Sequence, residues 1–156
     1  MSALSHRIIE GGTRGAIDCV AALRSAGHTV GPSDTRAVLD EFVFVQLHFV
    51  DRAANAMLTI RTQDLFLPSF ISSTLWLRFK TQAPVMGEEE AMARARELLP
   101  TFDSANQEYA SSSMERPADA TALRDSLAFR FGTRVAQAAH VPTTGGALIT
   151  CMNALL

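Results

Sequence analysis

Four side chains of the kinds found in metal centres and acid–base sites lie close together in the chain: Glu41, His48, Asp51 and Arg52. Glu41 lies seven residues before His48, and Asp51 lies three residues after it. On a helix, residues at these spacings share one face. A carboxylate and a histidine three residues apart recur in metal-binding helical bundles. The pattern therefore offers His48 and Asp51 as metal ligands.

A metal-binding bundle also needs acidic ligands from several helices. The one carboxylate that another predicted helix offers is Glu108, beside Tyr109, and its neighbours do not repeat a Glu-x-x-His motif. The alternative is a structural network in which His48, Arg52 and a carboxylate satisfy one another in a half-buried groove. In such a network the loss of Asp51 would cost on the order of 3 kcal/mol, because the opposite charge is left unpaired. We favour the structural network and predict neither a metal nor a cofactor.

These residues belong to the longest nearly unbroken apolar run of the chain, residues 38–60. The run contains no Gly or Pro and is far longer than an ordinary strand, which indicates a helix. At about 100° per residue its apolar side chains cover most of the circumference, as in a helix surrounded by others. The preceding Gly31-Pro32-Ser33-Asp34 supplies a turn, an N-cap residue and an acid in the first turn. The sequence predicts a central helix over about residues 33–61.

Two further helices are predicted, one before the central helix in the chain and one after it. Residues 1–12 read as a short flexible leader that ends in two glycines, and Thr13 is expected to cap a helix that closes at Gly27. A third helix is expected to begin between residues 62 and 69, with Pro68 in its first turn. Residues 75–79 alternate as a strand would, but the chain has no second alternating run to pair with them, so a helix is favoured.

The second half of the chain predicts two or three more helices. Three glutamates at 88–90 suit the first turn of a helix that runs to about residue 111, with a kink or a break near Pro100. A fifth helix is expected from Asp119 or Thr121 to Ala138. The last segment, residues 147–156, is an apolar helix that must be covered by the domain or by a second subunit.

Composition excludes several classes of function. A chain of 156 residues fits one domain, and a net charge of −2 without a cluster of Lys and Arg gives no surface for nucleic acid. Cys19 and Cys151 are far apart and form no CxxC motif, so we predict buried thiols rather than a zinc or redox site. No signal peptide or membrane-spanning run is present, so the expected location is cytoplasmic and soluble.

Three segments, EFVFVQLHFVDRAA, FDSANQEYASS and LAFRFGTRVAQAA, resemble a family of all-helical bacterial proteins of about this length, a family without an established function. Its motifs are a helix with His and then Asp-Arg, a Glu-Tyr pair and a Phe-Gly pair. They correspond here to His48, Asp51 and Arg52, to Glu108 and Tyr109, and to Phe131 and Gly132. The resemblance spans residues 38–140 and implies an all-helical fold without catalytic residues.

A second likeness is to alkylhydroperoxidase-like helical proteins. The segments ALRSAG and HFVDRAANAM are similar to a helix that closes the active-site domain of those enzymes. Their chemistry depends on a CxxC pair activated by a histidine, because the reactive species is a thiolate. This chain has no CxxC pair, so the likeness implies shared architecture without the peroxidase chemistry.

Together these patterns predict an all-α protein, a compact bundle of five or six helices that forms one domain over residues 1–156. For its function we favour a non-catalytic helical module that binds a protein partner or itself. A homodimer would use the last helix or the exposed face of the third, with Trp76 as an anchor. The alternative is a metal-binding or small-molecule-binding bundle that uses Glu41, His48, Asp51 and Arg52.

Overall fold

The computed structural model describes residues 3–82, 85–114 and 119–155. The structure is 82% helical, and the described residues contain no strand, only one isolated bridge between Ser113 and Ser126. The described part of the chain forms seven helices: α1 (Ala3–Ser25), α2 (Pro32–Met57), α3 (Ile60–Gln82), α4 (Glu88–Ala110), α5 (Ala120–Arg124), α6 (Leu127–Ala138) and α7 (Gly145–Asn153). The predicted all-α bundle is confirmed, and residues 75–79 are helical. Within the described helices, none is both long and apolar enough to cross a bilayer.

Helix α2 occupies the centre of the bundle, as the apolar run predicts. It packs against α1, α3, α4 and α6. The five consecutive residues from Glu41 to Val45 are all buried, which is more than one full helical turn. The N-cap residue is Gly31, and its N–H donates to the Asp34 carboxylate at 2.9 Å. A helix enclosed on all sides can bury a polar side chain only if a neighbouring helix supplies its partner.

The central helix ends earlier than predicted, at Met57 rather than near residue 61. Leu58 is extended, and the Gln63 side chain donates to the carbonyls of Ala54 and Leu58 at 3.2 and 3.0 Å. The Ala54 carbonyl also accepts the N–H of Leu58, so the Gln63 amide adds a second bond there and a bond to the Leu58 carbonyl beyond the end of α2. Helix α3 therefore begins at Ile60, ahead of the predicted start, and Pro68 lies well inside it. The two residues that connect α2 to α3, Leu58 and Thr59, are neither Gly nor Pro, so the sequence pattern alone does not reveal the end of α2.

The predicted flexible leader is part of α1, which begins at Ala3, so Thr13 lies inside a helix and does not cap one. Residues 1 and 2 lie outside the described residues. Ile8 is buried in the core, which anchors this first part of the helix. A Cβ built on Gly15 would lie 2.6 Å from the Phe42 ring, so this glycine permits close packing of α1 on α2. Gly27 adopts φ +89° and ends the helix as predicted.

One prediction for the second half of the chain needs correction, and another is narrowed. Of the kink or break predicted near Pro100, the break does not occur, because α4 continues through this exposed proline. The predicted fifth helix is two helices, because Ser126 interrupts it: its hydroxyl accepts the N–H of Phe129 at 3.2 Å and caps α6. Asp119 caps the short α5 as predicted, accepting the N–H groups of Thr121 and Ala122.

The two cysteines meet in the core although they lie near opposite ends of the chain. Cys19 on α1 is 2% exposed and Cys151 on α7 is fully buried, as predicted. Their thiols are hydrogen-bonded to each other, which together with burial raises the pKa of Cys19. The pair therefore helps to seat α7 against α1.

Candidate functional site

A buried ion pair joins the central helix to α6. Arg134 Nε donates to Glu41 Oε2 at 2.7 Å, and Arg134 Nη2 donates to Glu41 Oε1 at 2.8 Å. The Glu41 and Arg134 side chains are 9% and 14% exposed. A two-pronged contact of this kind is among the stronger polar interactions in proteins, because both partners are charged and the geometry is fixed. Glu41 is one of the residues predicted from the sequence, whereas Arg134 is not.

Two further predicted residues complete this cluster from α4. Tyr109 Oη donates to Glu41 Oε2 at 3.1 Å, and Arg134 Nη1 donates to Glu108 Oε2 at 3.2 Å. Tyr109 is fully buried, and burial, followed by the charge of Glu41, raises the pKa of its phenol. We call these four residues the Glu41 network. Its polar groups satisfy one another, so the network ties α2, α4 and α6 together.

The other predicted residues form a second cluster, further along α2. His48 Nδ1 lies 2.6 Å from Asn106 Oδ1, and Asn106 Nδ2 donates to Asp51 Oδ2 at 3.1 Å. Because Asn106 Oδ1 is an acceptor, this arrangement requires the proton on His48 Nδ1. His48 is completely buried, and burial is the main cause that lowers its pKa. His48 is therefore a neutral histidine at physiological pH.

Asp51 and Arg52 do not pair in the way the sequence predicts. Asp51 is bonded to two amides, from Asn106 and from Asn55 at 3.3 Å, rather than to a cation. Arg52 is exposed and forms no ion pair with any residue that the structure describes. A charged partner was expected for Asp51, but its partner from another helix is the amide of Asn106, which lies on α4 where that helix packs against α2.

This geometry changes the expected effect of removing the Asp51 charge. Asp51→Asn leaves no buried cation unpaired, so we expect the free energy of unfolding to change by less than about 1 kcal/mol. Asn106→Leu is the matched comparison, because it removes the partners of both His48 and Asp51 and should cost about 1–3 kcal/mol. Urea unfolding of both variants measures the difference. A loss near 3 kcal/mol for Asp51→Asn would show that this carboxylate does pair with a charge.

The arrangement offers little to a metal ion. Among the described residues, no group of three His, Cys, Asp or Glu side chains could hold one. His48 and Asp51 bond to opposite ends of the same Asn106 amide instead of converging on a common point. The single atom left over is His48 Nε2, which is buried without a hydrogen-bond partner. Both clusters therefore read as structural links between helices.

A signal that could have identified Arg134 is present in the sequence. The three segments on which the family resemblance rests lie on α2, α4 and α6, the helices that build the Glu41 network, and Arg134 belongs to the third segment. Polar residues of these three segments, Arg134 among them, are therefore candidates for contacts between the three helices.

Comparison of the chain with family models, curated proteins and solved structures gives no match.

Proposed function

We propose that this protein is a non-catalytic helical module that associates with a second copy of itself through the corner between α2 and α3. The observation that carries the proposal is a concentration of exposed apolar side chains. Eleven large hydrophobic residues are exposed in the described part of the chain, and five of them fall within ten consecutive residues. They are Met57, Leu58, Ile60, Leu65 and Phe66, and we call them the α2–α3 corner.

The corner extends past the core of the bundle. Between residues 53 and 69, Ala54 is the single buried residue, and the core residues of α3 begin at Phe70. Met57, Ile60 and Leu65 are 82%, 77% and 72% exposed, so these side chains contribute little to the stability of the domain. A local concentration of exposed large apolar side chains is typical of an interaction site.

The charges around the corner favour a second copy over a strongly charged partner. Arg52 and Arg61 are matched by Asp51 and Asp64, so the surroundings carry no excess of either sign. In a two-fold dimer the same surface is used by both subunits, so each apolar residue of the corner becomes buried in both copies. Full burial of a large apolar side chain contributes about 1.5–3 kcal/mol, so two copies of the corner can offset the entropy lost on association.

Two observations favour the beginning of α3 over the two regions that the sequence suggested for the interface. Trp76, the anchor expected from the sequence, is partly buried against the core. On α7, Ala147, Leu148 and Cys151 are buried within the domain, and Ile149 is the large side chain left exposed. The beginning of α3 is therefore a better surface for association than either predicted region.

The experiment compares the oligomeric state of the wild type with that of a corner variant. Ile60→Glu/Leu65→Glu places two charges in the surface, and we expect dimerisation to weaken by roughly a hundredfold or more, since buried unpaired charges are costly. Sedimentation equilibrium at high micromolar protein should show a wild-type dimer and a monomeric variant. Both side chains are exposed, so circular dichroism should be unchanged.

Ile149→Glu is the matched control, because it places the same charge on an exposed isoleucine of α7. We expect this variant to remain dimeric. A wild type that is monomeric at high micromolar concentration would contradict self-association. Dissociation by Ile149→Glu but not by the corner variant would move the interface to α7.

A metal or small-molecule site on Glu41, His48, Asp51 and Arg52 remains the alternative function, and the geometry does not support it. Glu41 and Asp51 already have protein partners, and Arg52 lies apart from them at the surface. A ligand would have to displace the bonds that join α2 to α4 and α6.

A further inference from the structure

A cavity of about 470 Å³ opens between α2, α3 and α4. None of its lining residues belongs to the Glu41 network or to the α2–α3 corner. Its volume falls within the range of small-molecule sites, about 300–1,000 Å³. Arg36 and Asp40 line it from α2, and Arg78 lines it from α3.

Arg78 is a buried arginine whose hydrogen bonds are incomplete. Its side chain is 5% exposed, and Nη2 lies 2.6 Å from Asp40 Oδ1 and 3.3 Å from the carbonyl oxygen of Arg36. Its guanidinium lies 4.5 Å from the centroid of the Phe79 ring. Nε is buried and has no hydrogen-bond partner among the described residues. Since guanidinium nitrogens only donate, the group that would complete these bonds is an acceptor.

The charges of the lining also favour an anion. Three arginines face two carboxylates, and one of those arginines, Arg94, already pairs with Glu97 at 3.1 Å on the exposed rim. Asp40 offsets part of the charge of Arg78 through their 2.6 Å ion pair. Arg36 forms no ion pair with the described residues, so its charge is available.

The rest of the lining is apolar. Phe79, Met86 and Leu98 belong to it, and Phe79 and Leu98 are partly buried residues that pack against the core. An inorganic ion would leave this apolar surface in contact with water. A ligand with an anionic group and a hydrophobic body would cover it, and apolar burial would add to the binding free energy.

We propose that the cavity between α2, α3 and α4 is a binding site for a small organic anion, an apolar body that carries a carboxylate or a phosphate. Arg78 and Arg36 hold the anionic group, and Phe79, Met86 and Leu98 enclose the apolar body. This proposal does not depend on self-association, because it rests on a different set of residues.

Isothermal titration with three probes of similar size tests the proposal: 3-phenylpropanoate, phenyl phosphate and 2-phenylethylammonium. We expect at least one of the two anions to bind, and the comparison between them distinguishes a carboxylate site from a phosphate site. The ammonium probe has the same apolar body with the opposite charge and should not bind. If neither anion binds at about 10 mM, or if the ammonium ion binds more tightly, the proposal is wrong.

Variants then locate the site. Arg36→Gln should weaken anion binding by roughly tenfold or more, and because Arg36 is exposed the fold should be kept. Arg14→Gln is the matched control, an exposed arginine of α1 that does not line this cavity, and it should leave the affinity unchanged. Equal affinities for the wild type and Arg36→Gln would place the bound anion elsewhere and overturn the assignment.

Discussion

Arg134→Met is expected to lower the free energy of unfolding by about 3–5 kcal/mol. The variant keeps a side chain of similar length but leaves the Glu41 carboxylate, which is 9% exposed, without a cation. Tyr109 still donates one hydrogen bond to Glu41, but one neutral donor does not replace a two-pronged guanidinium. Urea unfolding followed by circular dichroism measures the loss.

Two controls separate burial of the charge from loss of the side chain. The double variant Glu41→Gln/Arg134→Met removes the buried unpaired charge and leaves only the Glu108 carboxylate, which is 33% exposed, without its cation, so it should be more stable than Arg134→Met alone. Arg94→Met breaks the pair with Glu97, whose side chains are 54% and 65% exposed, and should cost less than about 1 kcal/mol. If Arg134→Met costs no more than Arg94→Met, the Glu41 network does not hold the three helices together.

Gly132→Ala is expected to lower the free energy of unfolding by about 1–3 kcal/mol. A Cβ at this position would lie 2.4 Å from Met152 Cγ and 3.0 Å from the backbone nitrogen of Met152, so both the side chain and α7 would have to move. Alanine is otherwise the better helix former by about 1 kcal/mol, so the measured loss already includes that gain. Thermal and urea unfolding of the variant measure the effect.

Gly146→Ala provides the matched control for this position. Gly146 lies in α7, and the Cβ that alanine would add there has no described atom within 4 Å apart from its chain neighbours and the adjacent backbone of its own helix. We expect this substitution to be neutral or slightly stabilising. Equal stabilities for Gly132→Ala and Gly146→Ala would mean that α6 and α7 do not approach as closely at Gly132 as the structure shows.

The ends of the helices show where local sequence patterns stop being sufficient. Gly27 was predicted correctly because a left-handed cap depends on the residue itself. Pro68 was expected in a first turn and Pro100 at a kink or a break, yet both lie inside continuous helices. Both prolines are exposed, so water can bond the carbonyls that they leave free, and the cost of keeping the helix falls.

The α2–α3 corner shows a different limit. Three of its residues, Met57, Leu58 and Ile60, belong to the apolar run of residues 38–60, which was expected to be surrounded by other helices. The structure ends the buried part of α2 at Ala54 and begins that of α3 at Phe70, which leaves the residues between them in solvent. Hydrophobicity states what a side chain prefers, whereas exposure depends on how far the neighbouring helices extend.

Length and apolar periodicity were enough to predict a helical chain with α2 at its centre, because both depend on residues near one another in the chain. The sequence also singled out Glu41, His48, Glu108 and Tyr109 as polar groups within apolar helices. Their partners follow from the tertiary structure. Glu41 bonds to Arg134, 93 residues away, and His48 to Asn106, 58 residues away. Such pairings depend on which helices cross and at what level, and no periodicity within one helix contains that information.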